Sequence, residues 1–230
     1  MLTLAAIEDA ADIVYRAMNP TPQYSWPLLG EAIGRKAWVK HENHTPTGAF
    51  KVRGGLVMMK GLAERLPSGS GVISATRGNH GQSMAFAAAR YGLACTIVVP
   101  EGNSREKNAA MRAFGADLIE HGEDFDAAKA HAVMLSEERG LTMVPSFHVD
   151  LVRGVATYAT EFLRAVKDLD VIYVPIGLGS GICGVISARD VLNRKTKVVG
   201  VVSDQADAYA RSFESGTLTD TASAATFADG

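Results

Sequence analysis

Cysteine is nearly absent: Cys95 and Cys183 are the only two in 230 residues. Each sits in an apolar or glycine-rich setting far from the other, so neither a disulfide framework nor a four-cysteine metal site is available, and both read as small core residues. Blocks of one charge sign are lacking too. The 25 acidic and 23 basic residues are interspersed and leave a formal charge of -2, which offers nothing to a nucleic-acid or membrane partner. Apolar runs such as Ala94 to Pro100 are far too short to cross a bilayer, and Met1 leads into an amphipathic segment with Glu8, Asp9 and Asp12 instead of a basic, apolar export signal. A cytoplasmic protein is expected. The six histidines include no pair at helical metal-ligand spacing followed by a third ligand. His41 and His44 are three apart, but Pro46 and Gly48 keep their segment from reading as a helix, so no metal site is expected.

With 47% hydrophobic and 21% charged residues, the chain has the makings of a sizeable core, in one large domain or two small ones. Apolar residues recur at helical spacing from Leu4 to Met18, and Asn19-Pro20 breaks the pattern. A proline-rich loop follows, then a strand over Lys36 to Glu42 and a helix from Lys51 to the Pro67-Ser68-Gly69 turn. Strands and helices then alternate: Val72–Ser74 with Asn79–Tyr91, Cys95–Val99 with Ser104–Phe114, and Leu118–Glu120 with Phe125–Arg139. A second series runs Thr142–Val144, Leu151–Val166, Val171–Pro175, Ile182–Leu192 and Lys197–Val202. Alternation of this kind predicts an α/β fold of open, mostly parallel sheets covered by helices. Thr96–Val99 and Val171–Val174 are apolar at nearly every position, as strands buried on both faces are. No internal repeat or low-complexity tract interrupts the series.

Three segments carry chemistry. In Asn43-His44-Thr45-Pro46-Thr47-Gly48-Ala49-Phe50-Lys51-Val52-Arg53-Gly54, a lysine opens a helix beside Phe50 and behind a Pro/Gly turn. The positive end of the helix dipole and partial burial both disfavour an ammonium and make accessible the free amine or Schiff base, the state a carbonyl-trapping lysine needs. Composition alone favours a solvated lysine at such a place. In Ser74-Ala75-Thr76-Arg77-Gly78-Asn79-His80-Gly81-Gln82, a strand gives way to a helix start whose unpaired N–H groups suit a carboxylate. A glycine turn with Asn79 as helix cap accounts for the same residues equally well. In Val174-Pro175-Ile176-Gly177-Leu178-Gly179-Ser180-Gly181-Ile182-Cys183-Gly184, four glycines within eight residues precede a helix and form a cradle of N–H groups for phosphate. Ordinary turns need one or two.

The third segment admits a rival. Gly179, Gly181 and Gly184 fit G-x-G-x-x-G after a strand, and Asp204 lies about twenty residues on, where a dinucleotide fold needs an acid for the ribose. A nicotinamide-dependent oxidoreductase would follow, with the lysine and Asn79 segments unexplained. Ser180 lacks glycines two residues away on both sides, so no nucleophile elbow is present, and no Gly-Lys-Ser/Thr follows to make a P-loop.

Taken together, Pro46 to Gly54, Gly78-Asn79-His80-Gly81-Gln82 and the Gly177 to Gly184 loop resemble the pyridoxal 5'-phosphate (PLP) enzymes of the tryptophan-synthase fold type. The serine/threonine dehydratases match best, because the cysteine-synthase branch usually carries threonine where His80 stands. The resemblance covers nearly the whole chain. It implies a large PLP-binding lobe from residues 1–45 and 148–230, a small substrate-loop lobe from 46–147, and a homodimer. It also implies that Lys51 holds the cofactor as a Schiff base beside Phe50, that Asn79 hydrogen-bonds the ring hydroxyl, and that the backbone of Gly177, Leu178, Gly179, Ser180 and Gly181 holds the phosphate. Thr76, Arg77, Gly78, Asn79 and His80 would surround the substrate. The implied reaction converts threonine, serine or 3-hydroxyaspartate to a 2-oxo acid and ammonia, with Lys51 taking the alpha proton and the cofactor phosphate protonating the departing hydroxyl.

Four departures bear on that resemblance. Arg77 stands where the family often has serine or alanine; always protonated, it cannot act as the second base of a racemase, and it either turns to solvent or pairs with a second substrate carboxylate. Val202 and Ser203 replace the glutamate of metal-activated relatives, so no divalent cation is expected there. Leu178 and Ser180 replace glycines of the all-glycine phosphate loop, which binding through backbone N–H groups tolerates. Finally, Thr226 to Gly230 resembles an internal segment of family members, and no residue can be assigned to the pyridine nitrogen. The expectation is a fragment, or a shortened protein that folds with compromised chemistry, and the alternative is a truncated, non-catalytic PLP-fold protein.

Overall fold

The computed structural model describes residues 2–221 and 226. Helix α1 (Leu4–Tyr15) is capped by Thr3, whose hydroxyl accepts from the Ala6 amide, and it buries Ile7, Ala10 and Val14 on one face. This is the i, i+3, i+7 spacing of a helix laid on a core. Strands β1 (Gln23–Ser25) and β2 (Trp38–Lys40) pair antiparallel around a short helix α2 (Pro27–Ile33). A 3-10 turn over Glu42–His44 then leads to α3 (Lys51–Arg65), which buries Val52, Leu56, Met59 and Leu62.

A parallel four-stranded sheet follows in the order β5-β4-β3-β6, built from β3 (Gly71–Ala75), β4 (Ala94–Val99), β5 (Asp117–Glu120) and β6 (Thr142–Met143). Its crossovers are α4 (Asn79–Arg90), α5 (Arg105–Ala113) and α6 (Phe125–Arg139). The central strands are sealed: Ile73, Ile97, Val98 and Val99 are wholly buried. Helix α7 (Val149–Ala165) leads to a second parallel pair, β7 (Val171–Pro175) and β8 (Lys197–Val201), joined by α8 (Ser180–Val191), and α9 (Ala208–Ser215) follows. The open parallel sheets flanked by helices are those expected from the sequence.

Glycines set how closely the helices approach. A Cβ on Gly54 of α3 would stand 2.7 Å from the Leu151 carbonyl oxygen of α7, and one on Gly184 of α8 would stand 3.0 Å from the Ala156 amide of α7. A Cβ on Gly55 would meet Ser83 Oγ of α4 at 2.2 Å. Helix α3 is therefore wedged between α4 and α7, with α8 packed on α7.

Two expectations need correction. The proline-rich stretch after α1 holds β1 and α2 instead of a loop. Helix α2 has Pro27 at its first position and ends on Gly34 at φ +63, yet it buries no residue, so it lacks the amphipathic period by which helices are recognised. Strand β7 is not covered on both faces: Tyr173 is 71% exposed and, of its five residues, only Val174 is buried. An unbroken apolar run is necessary for a doubly covered strand but does not supply the cover. His41 lies in an aromatic group with Tyr24, Trp26 and His44, and its Nε2 accepts from Trp26 Nε1 at 3.1 Å.

Candidate active site

Lys51 is the first residue of α3. The turn before it is held by Thr45, whose hydroxyl accepts from the Ala49 amide at 2.9 Å, and by Gly48 at φ +67, a left-handed conformation that glycine adopts without cost. Behind Lys51, the hydroxyl of Ser83 on α4 donates to the Lys51 carbonyl oxygen at 2.7 Å. The amine lies 5.5 Å from the centre of the Phe50 ring, and burial lowers its pKa. Lys40 provides a contrast: burial lowers it as well, but the Glu161 carboxylate opposes the shift. For Lys51 burial stands alone, which favours the neutral amine.

The second segment sits beside it. Thr76, Gly78 and His80 are buried, Asn79 is half-buried and Arg77 is exposed. Thr76 Oγ1 accepts from the Gly78 amide at 3.1 Å. A Cβ on Gly78 would stand 2.8 Å from Lys107 Cδ, so the Lys107 side chain lies directly against this glycine. His80 Nε2 lies 3.2 Å from Ser74 Oγ, and that hydroxyl spends its single hydrogen on the Val144 carbonyl oxygen at 2.9 Å. His80 must therefore donate from Nε2, which makes Nδ1 the acceptor of the ring. Burial, together with the charge of Lys51, pushes the His80 pKa down to about 3.

The third segment completes the group. Gly179 has φ +94, and α8 begins one residue later; its first backbone bond runs from the Cys183 amide to the Gly179 carbonyl oxygen at 3.0 Å. The N–H groups ahead of Cys183 thus precede the helical ladder. Space is open above Gly177, where no atom lies within 4 Å of an added Cβ, and a Cβ on Gly181 would touch the Phe50 ring at 3.4 Å. Leu178 is exposed and Ser180 is buried.

One property sets these three helix starts apart from most others. Helices α1, α5, α6 and α7 are capped by the side chains of Thr3, Ser104, Asp124 and His148. Helices α3, α4 and α8 have no side-chain cap, a state they share with the solvent-lying α2 and α9. Among the described residues neither the Lys51 amine nor the Asn79 side chain has a hydrogen-bond partner. Three sets of open N–H groups, a depressed lysine and an amide form a donor set that fits an anionic carbonyl compound and disfavours a cation. Ser74 and Arg53 lie within the three sequence segments but carry no role predicted there. Ser83, Tyr158, whose ring centre lies 6.0 Å from that of Phe50, and Tyr209, whose hydroxyl would stand 3.9 Å from a Cβ on Gly179, lie outside those segments and have no sequence signal.

His80 makes the site acid-sensitive. Its folded pKa lies below the unfolded value of about 6.5, so below that pH the unfolded chain binds a proton that the native chain does not, and stability falls as pH drops towards 3. The slope from this group reaches about 1.4 kcal/mol per pH unit. Urea unfolding between pH 7 and 4 should show a shallower decline for His80→Gln than for the wild type; parallel curves would mean that His80 is not held neutral.

Uncapped helix starts near a half-buried lysine, two of them following parallel strands, give this α/β chain a donor set suited to an anionic carbonyl group. The chain belongs to the pyridoxal-phosphate dependent enzyme family, which matches residues 14–230. It is 35% identical over 226 residues to the biosynthetic L-threonine dehydratase IlvA of Haemophilus influenzae, covering 98% of this chain and 44% of that one. To the L-threo-3-hydroxyaspartate ammonia-lyase of Saccharomyces cerevisiae it is 31% identical, covering 99% of this chain and 70% of that one. The processed form of threonine deaminase isoform 2 from Solanum lycopersicum superposes with a TM-score of 0.88 at 31% identity, over 97% of this chain and 65% of that one. The chain thus spans less than half the length of the Haemophilus relative. Among the described residues no helix is long and apolar enough to cross a membrane.

Proposed function

We propose that this chain, with PLP held by Lys51, eliminates the β-hydroxyl of a small β-hydroxy amino acid such as threonine, serine or 3-hydroxyaspartate, yielding a 2-oxo acid and ammonia. The observation that carries the proposal is half-buried Lys51, lowered in pKa by burial, held to α4 through Ser83 and next in sequence to Phe50, whose ring lies against Gly181 of α8. When bound, the cofactor supplies an electron sink for the charge left at the substrate α-carbon. Lys51 Nζ takes up the α-proton, which an amine of lowered pKa does near neutrality. The amides at the start of α4, with Thr76 and Asn79, hold the substrate carboxylate and the ring oxygen. The amides from Gly177 to Gly181 hold the phosphate, with the Phe50 ring beside Gly181. His80 stays neutral and adds no positive charge at physiological pH. The names of the relatives, dehydratases and ammonia-lyases of hydroxy amino acids, support the substrate class.

The test is to incubate the purified chain with PLP, reduce with borohydride and locate the modified residue by peptide mass, with a 2-oxo acid assay on the three amino acids alongside. A pyridoxyl group on Lys51 together with turnover is the expected result. Modification without turnover would leave a PLP-binding chain that is not an enzyme by itself, and an unmodified Lys51 would overturn the cofactor assignment.

A further inference from the structure

Behind Lys51, on the far side of the first turn of α3, lies a buried ion cluster with no part in the chemistry proposed. Arg53, with a wholly buried side chain, is its centre. Its Nε and Nη2 grip Glu42 at 2.7 and 3.0 Å, and its Nη1 and Nη2 reach Glu161 at 2.6 and 3.3 Å. Nη1 also donates to Thr157 Oγ1 at 3.0 Å and Nη2 to Thr21 Oγ1 at 3.2 Å. All the guanidinium donors are engaged. Glu161 in turn accepts from Lys40 at 2.5 Å and from Tyr15 at 2.6 Å. Two cations face two carboxylates, so the cluster is charge-neutral, and it ties α1, the β1–β2 segment, the 3-10 turn and α7 to one residue of α3.

The placement matters. Residues two apart on a helix point to opposite sides, so Arg53 holds the rear of the turn whose front presents Lys51. That turn has no side-chain cap, and uncapped helix starts fray. On the front, Ser83 holds only the Lys51 carbonyl oxygen. Thr157 strengthens the mount by donating to the Gly154 carbonyl oxygen at 2.7 Å while accepting from Arg53, next to the point where Gly154 abuts the Arg53 backbone.

We propose that Arg53 is a positioning residue: its buried ion cluster with Glu42 and Glu161 fixes the uncapped first turn of α3 so that the Lys51 amine meets the cofactor aldehyde. The proposal rests on Lys51 as the residue that takes the cofactor. Two ligands separate positioning from folding. PLP reports reaction at Lys51 by borohydride trapping, whereas pyridoxine 5'-phosphate, which lacks the aldehyde, reports binding to the loops alone. Arg53→Lys keeps the charge and loses the planar fork. It should cut the pyridoxyl group trapped on Lys51 by roughly tenfold or more, in line with the cost of a small misplacement of a reacting group, while the affinity for pyridoxine 5'-phosphate stays within about twofold of wild type. Thr157→Val removes one acceptor and leaves both carboxylates paired. It should show the same split at about threefold, and it decides the matter if Arg53→Lys does not fold. Equal losses for both ligands, or no change in either, overturn the positioning role. A wild-type chain that binds pyridoxine 5'-phosphate but is never trapped at Lys51 refutes the cofactor assignment itself, and the positioning role with it.

Discussion

Gly154→Ala is expected to destabilise the chain by about 3 kcal/mol or more, at or beyond the upper end of ordinary overpacking. The added Cβ would stand 2.2 Å from the Arg53 carbonyl oxygen, 2.6 Å from its carbon and 2.7 Å from Gly54 Cα. All three are backbone atoms and cannot rotate away, so α3 and α7 must separate along the seam where Thr157 and Arg53 join them. A control lies in α3 itself. A Cβ on Gly61 would have only the tip of Arg65 near it, at 3.8 Å, so Gly61→Ala should stabilise by about 0.5–1 kcal/mol through helix propensity. Two glycine-to-alanine changes in helices thus shift the urea midpoint in opposite directions. Similar shifts for both would show that α3 and α7 do not touch at Gly154.

What the sequence made legible was local. The lysine, asparagine and glycine-loop segments each announce themselves within about ten residues, because a turn and a helix start are short-range objects. The parallel order of strands likewise follows from the alternation of elements. The partnership of these segments was not legible: Phe50 is 131 residues from Gly181 by number, and the two meet only because α8 packs on α7 and α7 on α3. Arg53 shows the same limit. Arginines seldom lie fully buried unless paired, and only the fold brings Glu42 and Glu161 to this one. Helices α2 and α9 escaped notice for the opposite reason, as they bury nothing and so carry no periodic imprint of a core.

Lys51→Ala should lower 2-oxo acid formation by at least roughly a thousandfold, since the proposed function makes this one residue both the cofactor's anchor and the proton acceptor. Stability should not fall with it. Burial holds the folded pKa of Lys51 below its unfolded value. For such a base, stability is lowest below the folded pKa and recovers as pH rises towards the unfolded value of about 10.4. At neutral pH the native chain therefore either holds a desolvated ammonium or has had to release that proton, and alanine does neither. The lost packing of the lysine stem offsets part of that gain, so the urea midpoint of Lys51→Ala should match or exceed that of the wild type at pH 7, with the difference narrowing as pH rises towards 10. A residue that mattered only to the fold would behave in the reverse way, losing stability and activity together. A variant that kept its activity would move the proton transfer to another group. Activity lost with stability retained marks Lys51 as a charge buried for chemistry, at a site the fold would be more stable without.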